Sequence, residues 1–105
     1  MAEIPDLIAD KIIRYIKELE QNNFHIQHAY LFGSYSKGNF DEWSDIDIAL
    51  VSDNFGENNI LNKKMIRKIT FSIDTDLSPV TYRPEEFTPD NLFIKEILKT
   101  GIKIV

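Results

Sequence analysis

The chain has 105 residues, 43% of them hydrophobic and 28% charged, with a formal net charge of −5 and no cysteine. Those values point to one soluble globular domain and exclude a disulfide scaffold or a thiolate metal site, and no apolar run is long enough to span a bilayer. The acidic balance argues against attraction to DNA or RNA over the whole surface, and "MAEIPDLIADKIIRYIKELE" holds no signal-peptide apolar core, so the expected location is cytoplasmic.

The spacing predicts a first helix over residues 5–20. Ile8, Ile12, Tyr15, Ile16 and Leu19 make one apolar stripe, Pro5 suits a first turn, and Asp6 favours the positive end of the helix dipole. Residues 28–33, "HAYLFG", read as a short buried strand ended by glycine. "SYSKGNFDEWS" is polar and reads as a turn with one helical turn, broken near Gly38 and Asn39. "DIDIALVSD", 45–53, is a strand: Asp45, Asp47 and Ala49 face one way, Ile46, Ile48 and Leu50 the other.

"NFGENN" is a loop, and residues 59–69 form a helix with Leu61, Met65 and Ile69 on one stripe. The next run, "TFSIDTDLSPVTY", returns to period two and is expected to be a strand. Phe71, Ile73, Thr75 and Leu77 share one face; Ser72, Asp74, Asp76 and Ser78 share the other. Pro79 places this strand at an edge or bulge. "RPEEFTPDN" is a loop with a short turn, "NLFIKEILKT" a final helix capped by Gly101, and "IKIV" a last short strand. The order describes an α/β or α+β domain with a mixed sheet and helices over one face.

Two carboxylates at i and i+2 on a strand project together, with Cα atoms roughly 7 Å apart. Asp45 and Asp47 therefore repel each other unless a hard cation lies between them, and ligation by oxygen alone points to Mg²⁺ or Mn²⁺. Asp74 or Asp76, on the same face of the later strand, is positioned to complete the set; parity does not separate the two, and Asp74 is favoured because it lies deeper in the run, after Ile73. Gly33 lets a phosphate approach the backbone, the Ser34 hydroxyl can donate to it, and Lys37 adds a positive charge. Phosphate-binding and metal-binding residues then lie at the two ends of one short spacer, an arrangement suited to phosphoryl or nucleotidyl transfer.

Other features read more plainly. His25 and His28 have no further His or Cys to make a metal site, Trp43 is expected to be a half-buried loop anchor, the basic run at 63–68 is a solvated helix face, and Glu85 and Glu86 start a turn.

The run "LFGSYSKGNFDEWSDIDIALV" resembles the minimal nucleotidyltransferase family of the DNA polymerase beta-like superfamily: strand, Gly-Ser, spacer, D-x-D, strand, then a later strand bearing a third acid. The resemblance implies a single nucleotidyltransferase domain over residues 1–105, with the mixed sheet and flanking helices of the polymerase beta-like palm. It implies transfer of a nucleoside monophosphate from an NTP, ATP being favoured, with Mg²⁺. Gly33, Ser34 and Lys37 would hold phosphate, Asp45 and Asp47 metal, and the third acid, Asp74 or Asp76, would serve as metal ligand and general base. Many relatives carry Ala-Arg before the second glycine where this chain has Ser36-Lys37; lysine keeps the charge and loses the bidentate fork.

Short members of that family occur beside a helical HEPN-type protein in toxin–antitoxin pairs, so the resemblance implies a protein partner or a second copy of the chain. A protein hydroxyl, a small molecule or an RNA end would be the acceptor, with nucleic acid not favoured. The competing expectation is an antitoxin that neutralises its partner by contact without catalysis.

Overall fold

The computed structural model describes residues 4–41, 44–55 and 60–105. Helix α1 spans Asp6–Gln21, strand β1 His28–Phe32, the single-turn helix α2 Ser34–Lys37, and strand β2 Ile46–Val51. Helix α3 covers Ile60–Ile73 and strand β3 Leu77–Tyr82; a 3₁₀ turn at Pro84–Glu86 leads to helix α4, Leu92–Thr100, and strand β4, Ile102–Lys103. Trp43 and Asn59 lie outside the described residues, so the readings of Trp43 as an anchor and of a helix start at 59 rest on the sequence alone.

The four strands form one mixed sheet in the order β3-β2-β1-β4. β1 runs antiparallel to β2 and β4, and β2 runs parallel to β3. The register assigns the two faces. Leu31 pairs with Ile48, Ala29 with Leu50, and Ile46 with Leu77. These apolar side chains join Ile8, Ile12, Tyr15 and Leu19 of α1 and Ile66 and Ile69 of α3 in the main core. Residues of the other parity, Tyr30, Phe32, Asp47, Ala49, Val51, Ser78, Val80 and Tyr82, make the second face.

The sequence reading placed all the helices over one face; the structure places α4 on the other. The ring of Phe93 meets Phe32 edge-on at 5.6 Å, and Phe87 packs on Tyr30 and Tyr82 at 5.5 and 5.4 Å. Tyr30 and Phe32 carry enough apolar surface on this face to need a cover. Ile94 and Ile97 of α4 are fully buried there. Asn91 starts the helix, its side-chain oxygen accepting from the amides of Phe93 and Ile94.

The reading of residues 70–82 also changes. The period-two run does not become a strand until Leu77, because α3 continues to Ile73 and Asp74–Asp76 make a turn. "TFSI" satisfies both periods. Ile66, Ile69, Thr70 and Ile73 are spaced i, i+3, i+4 and i+7, and that stripe packs on α1 and the sheet, leaving Phe71 and Ser72 outward. A buried polar contact ties the two helices: Tyr15 Oη lies 2.7 Å from Thr70 Oγ1, which donates to the Ile66 carbonyl at 2.6 Å.

Burial pushes the Tyr15 phenol up to about 12, against the partly offsetting hydrogen bond to Thr70. The unfolded chain ionises this tyrosine near its ordinary value of 10.0 while the folded chain holds it neutral. The stability it contributes is therefore complete below about pH 10 and is lost as pH rises toward 12. Tyr15→Phe is expected to cost about 1 kcal/mol at pH 7. It should also flatten part of the fall in the urea midpoint between pH 9.5 and pH 11.5; parallel pH profiles for wild type and variant would contradict this account.

Candidate active site

The site is built where β1 ends against the start of β2. Phe32, the last residue of β1, pairs with Asp47, so the following residue, Gly33, falls directly beside the Asp47 side chain. Gly33 has φ +74°, and a Cβ there would run into the Asp47 carboxylate. Glycine is required twice over: by the left-handed backbone, and by the room the carboxylate occupies. The chain then turns into α2, whose first intrahelical bond is Lys37 N–H to the Gly33 carbonyl. The amides of Ser34, Tyr35 and Ser36 precede that bond and, as at any helix start, have no intrahelical partner.

The turn is held rigidly from beneath. Ser36 Oγ donates to the Gly33 carbonyl at 2.9 Å, and Tyr35, buried, stacks on Phe40 with ring centres 4.6 Å apart. Sequence reasoning passed over Tyr35 and Phe40. The signal was present as two aromatics inside an otherwise polar spacer, and they pin both its ends to the core. Ser34 is half-buried and Lys37 exposed at the end of the turn.

Asp45 lies one residue before β2 and is exposed; Asp47, within the strand, is partly buried. Desolvation, and then the charge of Asp45, push the Asp47 carboxyl above its ordinary value. A like charge beside a partly buried carboxylate disfavours its ionised form. An oxygen-only donor set of this kind fits a hard divalent ion.

The later acids separate. Asp74 ends α3, forms an ion pair with Lys11 of α1, and accepts the Asp76 amide on its Oδ1 at 2.8 Å. Those contacts hold its carboxyl below the usual range, the Lys11 hydrogen bond being the larger cause. Asp74 thus lies in the turn that follows α3 and is tied to α1 through Lys11; it belongs to no strand. Grouping it with Asp45 and Asp47 on shared strand parity does not hold in this fold. Asp76 immediately precedes β3, and its carbonyl accepts the Ile46 amide at 2.8 Å. It has the parity of Ser78, which the register sets beside Asp47, so the same register carried back one step sets Asp76 beside Asp45. Among the described residues, no three or more His, Asp or Glu side chains are gathered closely enough to hold a metal ion. His25 instead sits 3.7 Å from Glu20 in an exposed pair, and Glu86 closes the turn that begins at Arg83.

The profile of the family described as polymerase beta, nucleotidyltransferase, matches residues 14–105. A protein adenylyltransferase, MntA, of Shewanella oneidensis is 39% identical over 70 residues, which are 67% of this chain and 50% of the relative. This chain thus spans about half the length of that relative. A protein of Methanocaldococcus jannaschii, provisionally named a protein adenylyltransferase, is 29% identical across 90% of this chain and 99% of its own length. Among solved structures, a toxin–antitoxin crystallised with AMP-PNP superposes with a TM-score of 0.63 at 28% identity, over 92% of this chain and 72% of the other.

Two substitutions probe the geometry without reference to activity. Gly33→Ala is expected to cost about 1–3 kcal/mol from the backbone conformation alone, with the clash adding to it. Asp47→Ala in the same chain should recover the clash component in a double-mutant cycle. The two aspartates should also respond in opposite senses near pH 7. Asp47 has a raised folded value, so its ionisation weakens the fold as pH climbs through the acid range, and Asp47→Asn should raise the urea midpoint. Asp74 has a lowered value, so its stabilisation is present above the ordinary carboxylate range and lost as pH falls, and Asp74→Asn should lower the midpoint. Shifts of the same sign would show that the two environments are misassigned.

Proposed function

Because this chain belongs to the polymerase beta nucleotidyltransferase family, we propose that it transfers a nucleoside monophosphate, AMP in the first instance, from an NTP to a hydroxyl of a protein partner. We place it as the antitoxin half of a toxin–antitoxin pair with a helical, HEPN-type partner. The observation that carries the reading is the packing of Gly33 against Asp47. It sets the turn that opens α2 beside the Asp47 carboxylate, two residues along the chain from Asp45, which supports a phosphate-binding turn next to a metal-binding pair. The relatives add the rest: MntA is named a protein adenylyltransferase, and a similar structure is a toxin–antitoxin with AMP-PNP.

On this reading the amides after Gly33, the Ser34 hydroxyl and the Lys37 ammonium bind the β- and γ-phosphates. Asp45 and Asp47 would hold Mg²⁺ or Mn²⁺, which when bound supplies positive charge against the triphosphate and the developing charge on the leaving pyrophosphate. The acceptor oxygen attacks the α-phosphorus, its proton passes to a carboxylate, and the bond to pyrophosphate breaks. We assign that carboxylate to Asp76. Asp74 is engaged by Lys11 and by the turn it caps, whereas Asp76 has the register and parity to face the acid pair.

The second reading, neutralisation by contact alone, is favoured by one observation: Asp76 neighbours Asp45 only by backbone register, and among the described residues no three carboxylates are gathered closely enough to hold a metal ion together. Co-expression with the partner, followed by mass spectrometry, separates the two. Asp45→Asn and Asp47→Asn should each abolish addition of AMP, as should Asp76→Asn, while Asp74→Asn should retain it at reduced stability. Ser34→Ala should weaken ATP binding by about 1–2 kcal/mol, and EDTA should weaken it far more. A partner left unmodified yet neutralised equally by wild type and Asp47→Asn would establish the contact-only reading.

A further inference from the structure

A second cleft lies on the α3 side of the sheet. It is a groove of about 370 Å³ between α3 and the outer edge of β3. Its floor is Ile66, Thr70, Leu77 and Pro79; its helical rim carries Lys63, Arg67 and Phe71 at i, i+4 and i+8. Phe71 is 59% exposed, which is a large apolar surface to leave in water at the mouth of an apolar groove.

The charge of this rim is out of keeping with the rest of the molecule. Between Ile60 and Ile73 the sequence has Lys63, Lys64, Arg67 and Lys68 and no acid at all, in a chain whose net charge is −5. None of the ion pairs found among the described residues involves these four cations. A solvated helix face ordinarily mixes its signs; this one presents cations beside an apolar slot.

The edge of β3 limits what can enter. Ile46 N–H donates to the Asp76 carbonyl and Ser52 N–H to that of Tyr82, so the even-numbered residues of β3 direct their backbone groups toward β2. Leu77, Pro79 and Thr81 therefore direct theirs outward. Proline has no N–H, and the Leu77 amide already donates to the Asp74 carbonyl. Thr81 alone remains as an outward donor on this strand, too few to template an added strand. The occupant must be recognised by its side chains.

We propose that the α3–β3 groove is a docking site for an acidic amphipathic helix of a partner protein. Apolar side chains of that helix would enter between Phe71, Ile66 and Pro79, and its carboxylates would meet Lys63 and Arg67. This is the helix-in-groove mode of recognition. A nucleic acid fits less well: the apolar floor offers nothing to a phosphate backbone, and the acidic remainder of the surface repels a long polyanion. The site is separate from the acid pair, so docking does not depend on nucleotide transfer.

The test uses the whole chain, ¹⁵N-labelled, and three probes: a synthetic helical peptide of about sixteen residues with leucines at i, i+4, i+7 and i+11 among glutamates, a shuffled peptide of identical composition, and oligouridylate of similar charge. The amphipathic peptide should shift amides of residues 63–71 and 77–81 and leave Asp45 and Asp47 unmoved. The shuffled peptide should bind at least about tenfold more weakly, since it keeps the charge and loses the apolar stripe. Lys63→Glu with Arg67→Glu should abolish binding, and Phe71→Ala should weaken it with the salt dependence unchanged. Equal binding of the shuffled peptide, tighter binding of oligouridylate, shifts outside the groove, or no binding by the amphipathic peptide would each overturn the proposal.

Discussion

Everything at the candidate active site depends on the register of β1 against β2. The antiparallel pairing of Phe32 with Asp47 sets Gly33 against a carboxylate, and from that single contact follow the left-handed turn and the start of α2. A shift of one residue would turn Asp47 toward α1 and α3 and bring Ile48 out onto the other face. The register is therefore enforced by the core itself. Ile46, Ile48 and Leu50 cannot leave the α1–α3 side without exposing the largest apolar stripe in the sheet.

The same constraint explains why a destabilising acid pair can persist. Asp47 is partly desolvated and repelled by Asp45, a cost carried by the surrounding packing. Tyr35 and Phe40 fix the spacer, Ser36 fixes the turn, and the hydrogen-bonded pair Tyr15–Thr70 fixes α3 beneath. Asp74 belongs to this supporting frame: with Lys11 it ties the end of α3 to α1, and it accepts the Asp76 amide in the turn that leads to β3. Carboxylates two residues apart in the chain have different surroundings because one follows the end of a helix and the other immediately precedes a strand.

The two faces of the sheet divide the labour. One is filled by α1 and α3 and provides stability. The other is covered by α4 and Phe87 where Tyr30, Phe32 and Tyr82 need cover. Between α3 and the β3 edge lies a separate groove with an apolar lining and the cations Lys63 and Arg67.

The sequence by itself determined the apolar stripes of α1 and β2, the Gly-Ser turn, the acid pair and the mixed-sheet class, because each is a local pattern: a period of 3.6 or 2, a residue type with a fixed backbone preference, or two charges on one strand. It could not decide where α3 ends. "TFSIDTD" fits a strand and a helix equally, and the choice fell to Thr70 meeting Tyr15 and to Ile73 joining the core, contacts between residues far apart in the chain. That choice in turn separated Asp74 from Asp76, which parity alone had left equivalent. The side of the sheet taken by α4 was likewise decided only by tertiary packing, since an amphipathic helix records that it covers an apolar surface but not which one.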